Sequence, residues 1–273
     1  MSIEYSIAVL LPTRGRTDSL ARSVLSLVDH AADQDSIQLI LGFDNDDTVG
    51  LTYFSERLQP ELDRRNIAYT VMEFEPLGYA RLNEYYNAMV RESSAEWVFV
   101  WNDDATIETD GWDNIINSHV GQFKLLAIHT HHDHPYSIFP IVPRAWVELA
   151  GRLSIHQMID AELSQLAYML DIWERIEVYA THDRHDLTGN NLDKTFKERI
   201  SYEGNPSSPK DFHHISHINY RNQEADRIDA YMHSIGIGTD WWSRVKTGQQ
   251  DPWAKLIIND VNHQMHQYIT TLK

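Results

Sequence analysis

An α/β fold, with a mainly parallel central sheet and helices on both faces, is what the order of elements in this 273-residue sequence predicts. Three observations carry the prediction. Short runs of branched apolar residues recur at 6–12, 37–43, 68–74 and 96–101, with turn-forming or polar residues after them. The segments at 17–30 and 82–90 place their apolar residues at helical spacing. Three of the strand ends are polar, at Thr13 to Arg16, Asp44 to Asp47 and Asn102 to Asp104, where parallel sheets bind their ligands.

Taken in order, the strand at 6–12 leads to a helix over 17–30 that puts Leu20, Val24, Leu27 and Val28 on one face, with Thr17 as its cap. The strand at 37–43 completes a βαβ unit. A third strand at 68–74 ends in Glu75, Pro76, Leu77 and Gly78, and the helix after it carries Leu82, Tyr85, Tyr86, Met89 and Val90 at offsets of three and four. The fourth strand, 96–101, runs straight into Asn102, Asp103 and Asp104. Further on, 125–129 reads as a strand, 143–150 as a short helix stopped by Gly151, and 155–170 as a longer helix. Pro, Gly and Ser concentrate at 201–211, which reads as a linker. The chain therefore divides into a domain at 1–200 that holds the polar strand ends and an extension at 201–273, without clear period, that closes over that site or builds an oligomer interface.

A formal net charge of −17 and the lack of a Lys/Arg cluster speak against a nucleic-acid partner. An anionic nucleotide is still accessible if a divalent cation and a few placed arginines neutralise its phosphates. There is no cysteine, which removes disulfides, thiolate metal sites and thiol nucleophiles. No apolar run approaches the roughly 18 residues that span a bilayer, and the first residues lack the pattern of a signal peptide. The expectation is a soluble cytoplasmic protein.

Asp103 and Asp104 follow the apolar run Val98, Phe99, Val100, Trp101. Adjacent carboxylates repel unless a cation or solvent relieves them, and Mg2+ or Mn2+ would do so while bridging to substrate phosphates. A solvated acidic turn is the plain alternative.

Four segments together carry a family likeness: Leu11-Pro12-Thr13-Arg14-Gly15-Arg16, Gly42-Phe43-Asp44-Asn45-Asp46-Asp47, Leu77-Gly78-Tyr79-Ala80-Arg81-Leu82-Asn83, and Trp97 through Asp104. In this order they resemble the Rossmann-like GT-A fold of family 2 glycosyltransferases, over about the first 190 residues. The later Phe139 to Gly151 resembles the acceptor-side strand and helix of that family, and His182 to Asp186, with Gly189, Asp193 and Phe196, its late His-bearing segment. The resemblance implies a nucleoside diphosphate sugar as donor, Mn2+ or Mg2+ as cofactor, and transfer to a hydroxyl acceptor with inversion. Position by position it implies that Thr13, Arg14 and Arg16 line the nucleotide pocket and that Asp44 and Asp46 meet the base or ribose. Arg81 and Asn83 begin a helix whose positive end favours the diphosphate. Asn102 stands where the motif usually has its first Asp, which leaves the metal chiefly to Asp104, with Asp103 beside it.

Such a transfer needs a base for the acceptor proton. Along 155–170, Ile155, Ile159, Leu163, Leu166 and Leu170 form the packing stripe, and His156, Asp160 and Ser164 lie on the neighbouring face. Asp160, about where the resemblance implies a catalytic carboxylate, is the candidate base, with Glu162 and Asp171 as substitutes. A solvent-facing helix Asp fits the same spacing. The resemblance also allows a late metal ligand, with His182 and His185 as candidates.

Two other classes compete. His129-Thr130-His131-His132-Asp133-His134 resembles the dinuclear metal motif of the metallo-β-lactamase superfamily, but the alternating strands and helices before it are the wrong lead-in. A non-catalytic nucleotide-sugar-binding module on the same fold is the third reading.

Overall fold

The computed structural model of the protein describes residues 5–130, 136–183, 201, 205 and 207–251. Of the residues singled out above, His131 to His134, His185, Asp186, Gly189, Asp193 and Phe196 lie outside that set.

Eight strands form one sheet in the order β3-β2-β1-β4-β7-β6-β8-β5. They are β1 (Ile7–Thr13), β2 (Ile37–Asp44), β3 (Ala68–Phe74), β4 (Trp97–Val100), β5 (Ala105–Ile107), β6 (Leu125–Thr130), β7 (Ile141–Pro143) and β8 (Trp173–His182). The half from β3 to β4 is wholly parallel, as the βαβ pattern predicts. The other half is mixed: β6 and β8 run parallel, while β7 is antiparallel to both β4 and β6, and β5 is antiparallel to β8. The expectation of a mainly parallel sheet thus holds for four of seven pairings. The departure has a local cause. β5 and β7 are three residues each, too short to show a period in sequence, and both are placed by the strands they pair with.

Helices cover both faces because the strands alternate. Ile7, Val9 and Leu11 of β1 pack on one side against α1 (Thr17–Asp29), the turn after α2 (Thr48–Tyr53), α3 (Gln59–Arg64) and α5 (Trp112–Asn117). Ala8 and Leu10 face the other side, with α4 (Leu82–Met89), α6 (Arg144–Ala150) and α7 (Ile159–Leu170). Ala225, Ile228 and Met232 of α8 (Ile215–Ser234) and Trp242 of α9 (Trp241–Lys246) complete that second core.

Three helix readings need correction. Arg16, not Thr17, is the N-cap of α1, and its side chain makes no capping hydrogen bond. The helix expected over 155–170 begins only at Ile159. The buried Glu162 carboxylate explains this: it accepts from Ile155 N (3.2 Å), His156 N (3.0 Å) and Ser154 Oγ (2.7 Å), holding 154–156 as a loop folded back on the helix start. Met158 N donates to His156 Nδ1 at 3.1 Å, which fixes the loop further. Finally, the 20-residue α8 lies in a region that showed no period. Its buried stripe is Arg221, Glu224, Ala225, Ile228 and Met232, and two charged residues in the stripe hide the helical spacing.

Candidate active site at the strand ends

Strand register assembles the site. Leu10 pairs with Val100, so three residues on Thr13 stands level with Asp103, and Thr13 Oγ1 donates to Asp103 Oδ2 at 2.7 Å. Thr13 pairs with Phe43, which sets Arg14 beside Asp44. Between the two arginines Gly15 has φ +67°, a left-handed turn that favours glycine. Its N–H donates to Asp47 Oδ2 at 2.7 Å, while Asp47 Oδ1 accepts from Gly50 N at 3.1 Å and caps α2. The loop after β1 is thereby tied to the loop after β2, and its two arginines part company.

Arg14 goes to one cluster. It donates to Asp44 Oδ2 at 2.6 Å and to both oxygens of Asp46, with Nη2 to Oδ2 at 2.9 Å. These bonds hold its guanidinium firmly protonated. Tyr85 of α4 donates to the other Asp44 oxygen and accepts from Leu77 N at 2.8 Å. Burial, with Asp44 alongside, pushes the Tyr85 hydroxyl up to about 12. Asp44 is 5% exposed and anchors the cluster, while the Arg14 and Asp46 side chains are about half exposed at its rim.

Arg16 goes to the other. Its Nη1 lies 3.1 Å from Asp103 Oδ1 and 3.0 Å from Asp104 Oδ2, bridging the two carboxylates. Burial pushes the Asp103 carboxyl up to about 6 against the pull of Arg16. Burial also acts on Asp104, but the hydrogen bond from His182 and the charges of His182 and Arg16 outweigh it and hold that carboxyl below its ordinary value. The pair is therefore split, with Asp104 the firmly ionised member.

His182 arrives from the far end of the sequence through β5, where Ala105 pairs with His182 and Asp183 N donates to Asp104 O at 2.9 Å. Its Nε2 lies 3.1 Å from Asp104 Oδ1. Phe139 meets the ring edge to face at 5.0 Å. Among the described residues His182 Nδ1 is buried without a hydrogen-bond partner.

The residues present fit a divalent cation. Asp104 Oδ1 and His182 Nε2, 3.1 Å apart, offer a carboxylate oxygen and an imidazole nitrogen that would hold such an ion together, with the imidazole proton then carried on Nδ1. Among the described residues no third Asp, Glu or His joins them as a metal-ligating group. The remaining positions would fall to phosphate oxygens and water.

Asp160 stands in the first turn of α7, half-buried. It acts electrostatically on the buried Tyr86 phenol together with Asp103 and Asp104, whose combined charge and, above all, burial push that hydroxyl well up. The candidate base and the acidic strand end therefore flank one tyrosine. The substitutes lie elsewhere. Glu162 is 1% exposed and taken up by the loop it holds. Asp171 is the left-handed C-cap of α7, about 16 Å of helix from Asp160. Of the residues expected at the α4 start, Arg81 is exposed and paired to Glu84 through both oxygens at 2.6 Å, and Asn83 is half-buried. Neither makes a contact with the strand-end cluster among the described bonds. His129 of the competing motif stacks on Tyr179 at 4.6 Å, and the next three specified positions of that motif lie outside the described residues.

Sequence reasoning did not single out Tyr85 and Tyr86 as site residues, because both occupy the apolar stripe of α4. Their hydroxyls bond Asp44 and the strand end at 101–102.

No protein-family model matches the chain, and no curated protein matches it by sequence. By structure it is similar to the mannosyltransferase PcManGT from Pyrobaculum calidifontis, solved in complex with GDP-Man and Mn2+: TM-score 0.54 and 13% identity over 97% of this chain and 84% of that one. It is also similar to S. aureus TarS 1-349 in complex with UDP-GlcNAc, with a TM-score of 0.51 and 12% identity over 98% of this chain and 79% of that one. The fold is thus of the GT-A type found in glycosyltransferases. Identity at this level speaks for the fold alone.

Proposed function

We propose that this protein is a metal-dependent glycosyltransferase that moves a sugar from a nucleoside diphosphate to a hydroxyl acceptor with inversion. The observation that carries the reading is the convergence of Arg16, Asp103, Asp104 and His182 at the carboxyl ends of β1, β4 and β8, beside the Arg14, Asp44 and Asp46 cluster. The structural neighbours solved with GDP-Man and Mn2+ and with UDP-GlcNAc agree with it.

Asp104 and His182 would hold the cation, and one carboxylate oxygen with one imidazole nitrogen favours Mn2+ over Mg2+. When bound, the ion supplies positive charge to the departing diphosphate. Arg16 adds a second positive charge on the same side. Arg14, Asp44 and Asp46 form the floor that meets the nucleoside, with Tyr85 fixing the orientation of Asp44. Asp160 takes the proton as the acceptor oxygen forms its bond to the anomeric carbon. The bond from that carbon to the diphosphate oxygen breaks, and its electron pair leaves with the nucleotide.

Titration calorimetry with a panel of nucleoside diphosphates, with and without Mn2+, tests the reading on wild type and Asp104→Ala. The expected result is Mn2+-dependent binding of one nucleotide that Asp104→Ala abolishes. Metal uptake that is indifferent to Asp104→Ala, with no nucleotide bound, would move the chemistry to the His129 to His134 segment.

A further inference from the structure

The side chain of Asn102 stands beside the acidic pair, at the position where the family likeness leads one to expect a carboxylate, and Tyr86 explains why an amide is there. Tyr86 is 1% exposed. Its hydroxyl lies 2.7 Å from the Trp101 carbonyl and 3.2 Å from Asn102 Oδ1. A phenol has one proton, and the shorter contact to a backbone carbonyl takes it. The Tyr86 oxygen is then a buried acceptor, and an amide oxygen facing it would set two oxygens together with no proton between them. A primary amide offers N–H2 on its other side, and the surrounding network decides which side faces which partner.

We propose that Asn102 turns its Nδ2 toward Tyr86, so that Tyr86 and Asn102 form a two-bond latch that positions the β4 end carrying Asp103 and Asp104. Tyr86 donates to Trp101 O, Asn102 donates to Tyr86, and Asn102 Oδ1 takes the outer position. The same strand end is gripped from the opposite face of the sheet by Ser23, which donates to Asn102 O at 3.0 Å and accepts from Trp101 Nε1 at 2.8 Å. The backbone at 101–102 is therefore clamped between α1 and α4, and Asp103 and Asp104 leave it in fixed directions. An Asp at 102 would not add a useful ligand here. Its carboxylate would meet the Tyr86 oxygen without a proton, and either the carboxylate swings away or Tyr86 surrenders Trp101 O; both open the latch. Asn102 and Tyr86 are positioning residues, and their effect on the metal rests on the function proposed above.

The test is a double-mutant cycle on Asn102→Asp and Tyr86→Phe in the full chain, read by Mn2+ titration with electron paramagnetic resonance and by thermal unfolding of metal-free protein. Each single variant is expected to bind Mn2+ about 10- to 100-fold more weakly, as outer partners of metal ligands do, and the double variant no more weakly than the worse single one. Tighter Mn2+ binding by Asn102→Asp would overturn the latch and make position 102 a ligand. If wild type takes up no Mn2+, or Asp104→Ala leaves uptake unchanged, the metal reading fails by itself and the thermal cycle judges the latch. Non-additive losses of Tm then support it, and additive ones overturn it. Should Asn102→Asp not fold, wild type still decides. A strong nuclear Overhauser contact between the Asn102 side-chain N–H2 and the Tyr86 ring protons next to the hydroxyl is expected, and its absence would place the amide the other way round.

Discussion

Asp104 and Asp160 are both carboxylates, and their geometry separates their roles. Asp104 is held ionised by His182 and Arg16, so its loss should appear in Mn2+ and nucleotide affinity. Asp160 stands on a different element, the first turn of α7, so Asp160→Asn should lower kcat by about 10^2- to 10^4-fold while Mn2+-dependent nucleotide binding stays within a few-fold of wild type. Steady-state kinetics alongside calorimetry check this split, and a loss of binding equal to the loss of rate would return the base to another residue. Glu162 is a contrasting case. Its carboxylate closes three hydrogen bonds inside the protein. Glu162→Ala would leave those donors buried and unpaired and should cost about 2–4 kcal/mol of stability in urea unfolding. The sequence placed Glu162 and Asp160 two apart on a helix and could not say which faced the site, because that depends on what packs against each.

At the scale of elements, β1, β2 and β4 were legible as apolar runs, since a strand buried on both faces needs little else. β5 and β7 were not, because three residues hold no period. The element with the largest consequence is α8. It was invisible as a pattern, yet Ala225, Ile228 and Met232 lie in the core shared with α6 and α7. Ile228 is fully buried, so Ile228→Ala should destabilise by about 2–5 kcal/mol. Because that core is shared, the loss should shift a single unfolding transition that circular dichroism and tryptophan fluorescence report at the same urea concentration. Two separated transitions would instead make the C-terminal helices an independent unit.

For the molecule as a whole, the buried His156 and the half-buried His213 and His217, at the junction of the 154–158 loop, the 207–214 segment and α8, set a pH dependence. Burial pushes His156 down to about 4, against the bond from its ring to Lys210 O. His213 and His217 shift the same way for the same reason, with Arg221 and Asp211 facing them. The sign follows from proton counting: between about 6.5 and 4 the unfolded chain binds a proton at position 156 that the folded protein refuses. Stability from His156 is therefore complete above 6.5 and is lost as pH falls toward 4, by about 3 kcal/mol in all. Glu162 and Glu224, pushed up by burial, act in the opposite sense above their ordinary range, so the comparison must be differential. His156→Gln, which keeps one donor and one acceptor, should flatten the stability profile between pH 6.5 and 4 relative to wild type; an unchanged slope would assign the titration to His213 or His217.

The amino-acid sequence by itself determined the parallel half of the sheet, the helices on its two faces and the polar strand ends, because apolar periodicity and turn chemistry act over a few residues. It also supplied the right residue types at those ends. Only the tertiary structure decided which of them meet. His182 lies 78 positions from Asp104 in sequence and reaches it through the pairing of β5 with β8. Arg14 and Arg16 diverge to different acidic clusters at the left-handed Gly15, and Arg81 turns to Glu84 at the surface. Tyr85 and Tyr86 read as core and yet orient Asp44 and the strand end by their hydroxyls. The physical reason is common to all of these: a side chain's partner across the sheet is set by register and packing, which sum over the whole chain, whereas a local pattern records only that some partner is needed.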